Sequence, residues 1–273
     1  MNFRQKLDAI ISKTNSLLCI GLDPDVTKIP RHILQKPDSI FEFNKAVIEA
    51  THDLVACYKP NSAFYEAEGM EGLEQLKRTI DYINATYSDI PVILDAKRAD
   101  IGNTSSMYAK YIFEFLGADA TTVAPYMGSD SLIPFFEYKD KGIFVLVRTS
   151  NQGATDFQDI DVQGEPLYVR VAQKVTEWNK QYSNCMMVVG ATWPEEIKKV
   201  RKLAPKMFFL VPGIGVQGGD LKNTLKNGLR SDKSGLLINS GRSIIYAGDD
   251  LDFADRSRTE AQKLRDQINA KRQ

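Results

Sequence analysis

The segment LDAKRADIGNT (94–104) carries the densest chemistry in the chain. Successive strand side chains point to opposite faces, so Asp95 and Lys97 project together while Leu94 and Ala96 face the other way. Asp100 follows in the loop that would open the next helix. Lys59 ends the preceding apolar run, LVACYKP (54–60), and adds a second cation. A lone Asp–Lys pair could simply close the end of a strand layer. Two lysines and two aspartates together are costly to desolvate unless each charge has a partner. That cluster suits a site that works on its substrate through charge and proton transfer.

A second group of residues suits an anion. In VPGIGVQGGD (211–220), Gly213, Gly215 and Gly218 satisfy G-x-G-x-x-G after a strand and before a helix. A dinucleotide is disfavoured, because the next strand, GLLINSG (235–241), ends without the acidic residue a ribose needs. The motif also sits late in the chain, whereas a dinucleotide fingerprint occupies the first turn of its fold. Phosphate fits better. Glycine loops admit backbone N–H groups to an anion, a helix N-terminus adds partial positive charge, and Arg242 in NSGRS (239–243) can donate two parallel bonds. Ser150 in TSNQGA (149–154) either closes an ordinary turn or hydrogen-bonds a ring amide. Asp23 in GLDPD (21–25) either caps a turn or binds a ribose hydroxyl.

These residues need a frame that gathers strand ends. Eight short β-rich runs begin at 17, 54, 91, 120, 143, 185, 207 and 235, each followed by room for one helix. They are apolar nearly throughout, as strands buried on both faces are. Leu167, Val171, Val175 and Trp178 form a helical stripe behind Pro166, and Ala261, Leu264 and Ile268 form another. Eight βα units predict an α/β fold of the (β/α)8 TIM-barrel type, a single domain over 1–273, with an N-terminal helix near 2–13 covering the barrel bottom. An open doubly wound sheet is the runner-up. In a barrel, chemistry belongs at the C-terminal strand ends, where Asp23, Lys59, Asp95, Lys97, Ser150, Pro212 and Arg242 all fall. The stretch 151–165 reads as a lid or a static insertion.

Composition narrows the classes. Lys+Arg 35 against Asp+Glu 35 argues against a general nucleic-acid binder or a basic membrane-surface protein. No apolar run reaches the length of a membrane span, and the start of the chain lacks a secretory apolar region. Two histidines, His32 and His52, leave little for a histidine triad or zinc site. Cys19, Cys57 and Cys185 each lie in an apolar run and read as reduced core residues of a cytoplasmic protein.

The motifs D-x-K-x-x-D-I-x-x-T (95–104), GLDPD, YKPN (58–61), PGIG with Gln217, and SGRSI (240–244) occur in the order found in the orotidine 5'-phosphate decarboxylase family. Over roughly 17–246 the chain resembles that family, and its extended segments resemble the larger bacterial subgroup. The resemblance implies decarboxylation of orotidine 5'-phosphate to UMP in de novo pyrimidine biosynthesis, with no metal and no organic cofactor. It makes Lys97 the proton donor to C6, places Asp95 beside the substrate carboxylate, and completes the charge network with Lys59 and Asp100. Asp23 would hold the ribose, Ser150 the pyrimidine, and Gln217, Gly241 and Arg242 the phosphate, with Pro212 lining the pocket. It also implies a homodimer in which Asp100, Ile101 and Thr104 reach the neighbouring subunit's site. Two other readings are a magnesium-assisted phosphosugar decarboxylase or aldolase, which Lys59 opposes, and a noncatalytic nucleotide binder, which leaves the four charges unexplained.

Overall fold

A computed structural model of the chain describes residues 1–214 and 219–272. Eight parallel strands form one sheet: β1 (Leu18–Leu22), β2 (Cys57–Pro60), β3 (Ile93–Arg98), β4 (Ala120–Val123), β5 (Gly142–Arg148), β8 (Cys185–Val189), β9 (Phe209–Val211) and β10 (Leu236–Ser240). Between β5 and β8 lies a small antiparallel hairpin, β6 (Asp161–Val162) and β7 (Glu165–Pro166). The sheet runs β2-β1-β10-β9-β8-β5-β4-β3. Parallel bridges Tyr58↔Val92 and Asn61↔Asp95 join its two outer strands. The sheet therefore curls into a nearly closed (β/α)8 barrel, which excludes the open doubly wound sheet.

Each expected strand is present, because a buried parallel strand needs apolar residues on both faces and only these runs supply them. β1, β2, β4 and β8 are buried along their whole length. Helices alternate with the strands and cover the outer faces. The helix Leu167–Tyr182 starts at Pro166 as its spacing predicts, but its face is turned slightly. Tyr168, Val169, Ala172, Val175 and Trp178 are buried, while Leu167 and Val171 are only half-buried. In the C-terminal helix Phe253–Ala270, Ala261 and Ile268 are buried and Leu264 packs beside them.

The N-terminal helix Phe3–Thr14 opens on a capping box between Asn2 and Gln5. It seals the end of the barrel where the strands begin. The Phe3 N–H donates to Asp140 O at 2.7 Å, and the Phe3 ring meets Phe144 edge-on with centroids 5.8 Å apart. Lys6 pairs with Asp119, just before β4, at 2.8 Å. Chemistry is left to the opposite end. Among the described residues, no helix is long and apolar enough to cross a membrane.

Candidate active site

The seam that closes the barrel, between β2 and β3, is where the charges meet. Lys59 Nζ donates to Asp95 Oδ2 at 3.0 Å, and Lys97 Nζ donates to Asp95 Oδ1 at 2.7 Å. Asp23, at the end of β1, holds its carboxylate 3.9 Å from Lys59 Nζ. The result is an alternating row, Asp23–Lys59–Asp95–Lys97, across three neighbouring strands. Lys59 is 3% exposed, whereas the Lys97 side chain is 48% exposed at the mouth. A cavity of about 400 Å³ opens above them, lined also by Ser150, Pro212, Gly241 and Arg242.

Burial alone would pull the Lys59 ammonium down, but the Asp95 and Asp23 charges outweigh it and hold its pKa above the usual lysine value. Burial likewise works to raise Asp95, and the Lys59 and Lys97 ammonium groups overcome it, keeping the carboxyl below the usual range. Each buried charge thus secures the other in its ionised form. Asp23 Oδ1 is buried and accepts no hydrogen bond among the described residues. The turn role left open for Asp23 belongs to Asp25, which accepts from the Thr27 N–H at 3.0 Å. An orphaned acceptor facing a cavity is ready for a ligand hydroxyl.

Lys97 reaches the mouth by a different route from simple strand alternation. β3 and β4 lose register between Leu94 and Arg98, and Lys97 adopts φ +48°. A left-handed lysine costs roughly 1–2 kcal/mol, and such strain gathers where geometry is held for a purpose. The bulge keeps Asp95 and Lys97 on the same cavity although the pleat is broken between them.

Ser150 follows β5, and its placement depends on Gly190 at the end of β8. A Cβ on Gly190 would stand 2.8 Å from the Ser150 main chain. The Gly190 N–H donates to Arg148 O at 2.7 Å, and Trp193 Nε1 donates to Thr149 O at 3.1 Å. The segment 151–165 is tied to the same strand end. Arg148, fully buried, pairs with Asp159 at 3.0 Å, and Thr149 exchanges hydrogen bonds with Gln158 at 2.8 and 2.9 Å.

Gly213 has φ +104°, and its carbonyl accepts from the Gly219 N–H at 3.0 Å, so the base of the glycine loop is pinned. Gly215, Gln217 and Gly218 lie outside the described residues. The helix that follows, Leu221–Gly228, is already capped by Asp220, which accepts from the Asn223 N–H at 3.0 Å. Exposed Arg242 makes no ion pair among the described residues. Asp100, Ile101 and Thr104 do not line this cavity in their own chain. Asp100 Oδ1 accepts from the Ile101 N–H at 2.7 Å, and Ile101 is 62% exposed.

Residues 16–256 match the Orotidine 5'-phosphate decarboxylase / HUMPS family. The chain belongs to the orotidine 5'-phosphate decarboxylase family. It is 53% identical over 264 residues to the orotidine 5'-phosphate decarboxylase of Flavobacterium johnsoniae, covering 97% of this chain and 96% of that one. The Cellvibrio japonicus decarboxylase is 50% identical over the full length of both. Among solved structures, Leishmania donovani OMP decarboxylase superposes with a TM-score of 0.87 at 43% identity, covering 100% of this chain and 99% of that one. Leishmania donovani UMP synthase gives 0.89 at 44% identity. This chain is covered completely there and spans 57% of that longer chain.

Within this decarboxylase-family site, three contributors escape the sequence reading. Asn61 and Asn239 line the cavity, and Thr122 donates to Asp95 Oδ1 at 2.8 Å. Asn61 and Asn239 sit in segments singled out for other residues. Thr122 lies in an ordinary β-branched run, where its type signals only a strand.

Proposed function

We propose that this protein removes the carboxylate from C6 of orotidine 5'-phosphate, giving UMP and carbon dioxide in de novo pyrimidine biosynthesis. The observation that carries this reading is the Asp23–Lys59–Asp95–Lys97 row opening into one cavity with Arg242.

As the C6–carboxylate bond breaks, its electron pair stays on C6 in an orbital lying in the ring plane, where the π system cannot accept it. Stabilisation must come from charge and from a proton. Lys97 supplies both. Its ammonium faces the developing carbanion and gives a proton to C6, and the neutral amine regains one from water at the mouth. One opposite charge at ~4 Å and an effective dielectric of ~20 contributes about 4 kcal/mol. Confined to the transition state, that is about three powers of ten in rate.

Asp95 lies beside the scissile carboxylate, and their repulsion is relieved as carbon dioxide departs. Lys59 holds Asp95 ionised and in place. Asp23 takes a ribose hydroxyl, Ser150 the pyrimidine edge, and Gln217, Gly241 and Arg242 the phosphate, with Pro212 walling the pocket. Asp100, Ile101 and Thr104, which do not line the cavity of their own chain, complete the site of a second copy in a homodimer. No metal or organic cofactor takes part. Three free, buried thiols suit the cytoplasm.

An absorbance assay with orotidine 5'-phosphate, run on chelator-treated protein and on Lys97→Ala, tests the reading. Turnover by the treated protein and its loss in the variant are expected. An inactive unaltered protein rejects the function, and an active Lys97→Ala rejects the assigned donor. Activity removed by the chelator and restored by magnesium would favour a metal-assisted relative.

A further inference from the structure

β3 and β4 pair at Ile93↔Ala120 and Leu94↔Thr121, then fall out of register until Arg98↔Val123. Asp95, Ala96 and Lys97 therefore all lie opposite Thr122. A bulge leaves backbone donors without a ladder partner, and the Lys97 N–H is one of them. Thr122 Oγ1 accepts it at 3.0 Å. The same hydroxyl donates to Asp95 Oδ1 at 2.8 Å. Chemistry fixes the direction of that second bond, because an ionised carboxylate only accepts. The single hydroxyl proton is committed to Asp95, and a lone pair to Lys97.

Thr122 is 1% exposed, so neither bond has water as a competitor. Its branched Cβ restricts χ1 and keeps the hydroxyl aimed. Thr121 ties the other end of the irregular stretch, donating to Leu94 O at 2.9 Å. The root of Lys97 is thus held at its N–H and its tip at Asp95, 2.7 Å from Nζ. Both anchors depend on one threonine oxygen.

We propose that Thr122 is a positioning residue for the decarboxylation, holding the Lys97 main chain in its left-handed bend and the Asp95 carboxylate in register with one hydroxyl. The inference rests on the reading of Lys97 as proton donor. Thr122 touches no reacting atom; it sets where the donor begins and where its tether points. Nothing in the residue types of ATTVAP (120–125) marks it out, because the role exists only where β3 bulges against β4.

Thr122→Val keeps the shape and removes the hydroxyl, whereas Thr122→Ser keeps the hydroxyl and removes the methyl. Steady-state turnover of orotidine 5'-phosphate should fall roughly 10- to 100-fold in kcat for the valine variant, with KM changed by less than about threefold. Serine should restore most of kcat, which a purely packing role would not allow. Thr122→Ala provides the same comparison if valine does not fold. Crystal structures of the variants should show Lys97 leaving positive φ in valine or alanine and keeping it in serine. A valine or alanine kcat within about twofold of the unaltered enzyme, or serine as impaired as valine, overturns the proposal. An unaltered protein that does not turn over substrate overturns the parent reading instead. In that case the Lys97 backbone in the same crystals still decides whether Thr122 holds it.

Discussion

Lys59 and Lys97 grip the same carboxylate from different surroundings, and the difference separates stability from turnover. Lys59 is almost wholly buried, so Lys59→Ala leaves Asp95 Oδ2 without its partner beside a void and should cost about 3 kcal/mol in urea unfolding. The half-exposed Lys97 is screened, and Lys97→Ala should stay within about 1 kcal/mol of the unaltered protein while losing turnover. The pair also sets a pH signature. Asp95 is held below its ordinary value of 3.8, so its contribution is complete above that pH and lost as pH falls toward the depressed value. Lys59 is held above its ordinary 10.5, so its contribution is complete below that pH and lost as pH rises through the raised value. Urea titrations should therefore show the stability gap between the unaltered protein and Asp95→Asn narrowing below about pH 3.8 and unchanged between pH 5 and 9. A gap that widens in acid would contradict the depressed carboxyl.

The strands decide the site by where they end, and two of those ends depend on irregularities. At β3 the bulge turns a pleated strand into a platform for Asp95 and Lys97. At β8 the absence of a side chain on Gly190 lets the β5 end close over it and bring Ser150 to the cavity. A methyl there would meet the Ser150 main chain at 2.8 Å, backbone that cannot step aside as a flexible side chain can. Gly190→Ala should therefore raise KM and lower kcat/KM by about 100-fold, the scale of a 1 Å misplacement. Tm should fall much less than activity. Unchanged kinetics would mean that the β5 end does not locate the pyrimidine contact. The eight strands were legible in the sequence because burial on both faces writes a continuous apolar run. The bulge was not, since it arises from the mismatch between β3 and β4 rather than from either strand alone.

For the whole molecule, the 35 positive and 35 negative side chains cancel in number and many pair locally, as Lys6 does with Asp119 and Arg258 with Asp53. The Asp23–Lys59–Asp95–Lys97 row alternates sign, Arg242 stands without an ion pair among the described residues, and Asp100 does not line the cavity of its own barrel. In the segment that follows Asp100, Ile101, Met107 and Phe115 are 62%, 57% and 59% exposed. Apolar exposure on this scale beside a functional loop suits a covered surface. The second copy proposed above would both cover it and receive Asp100. Mixing inactive Lys97→Ala and Asp100→Ala chains in equal amounts should make half the dimers hybrid, each with one intact site, and recover about a quarter of the unaltered activity. No recovery, with subunit exchange demonstrated by light scattering and labelled chains, would leave Asp100 serving its own barrel.

Sequence by itself determined the number and order of βα units, the strand ends that carry charge, and eight of the residues that line the cavity, because periodicity and residue type are local properties. It also supported one idea that geometry revised, a simple alternation carrying Asp95 and Lys97. Tertiary structure alone decided that the barrel closes at the β2–β3 seam, with Lys59 and Asp95 bonded across it. It alone left Asp23 Oδ1 without a hydrogen-bond donor among the described residues and gave Thr122 both ends of the bulge to hold. Hydrogen bonds and charge pairs between distant segments depend on relative placement to within an ångström. Residue type and spacing along one chain specify which groups can meet, but only the packed barrel brings them to bonding distance.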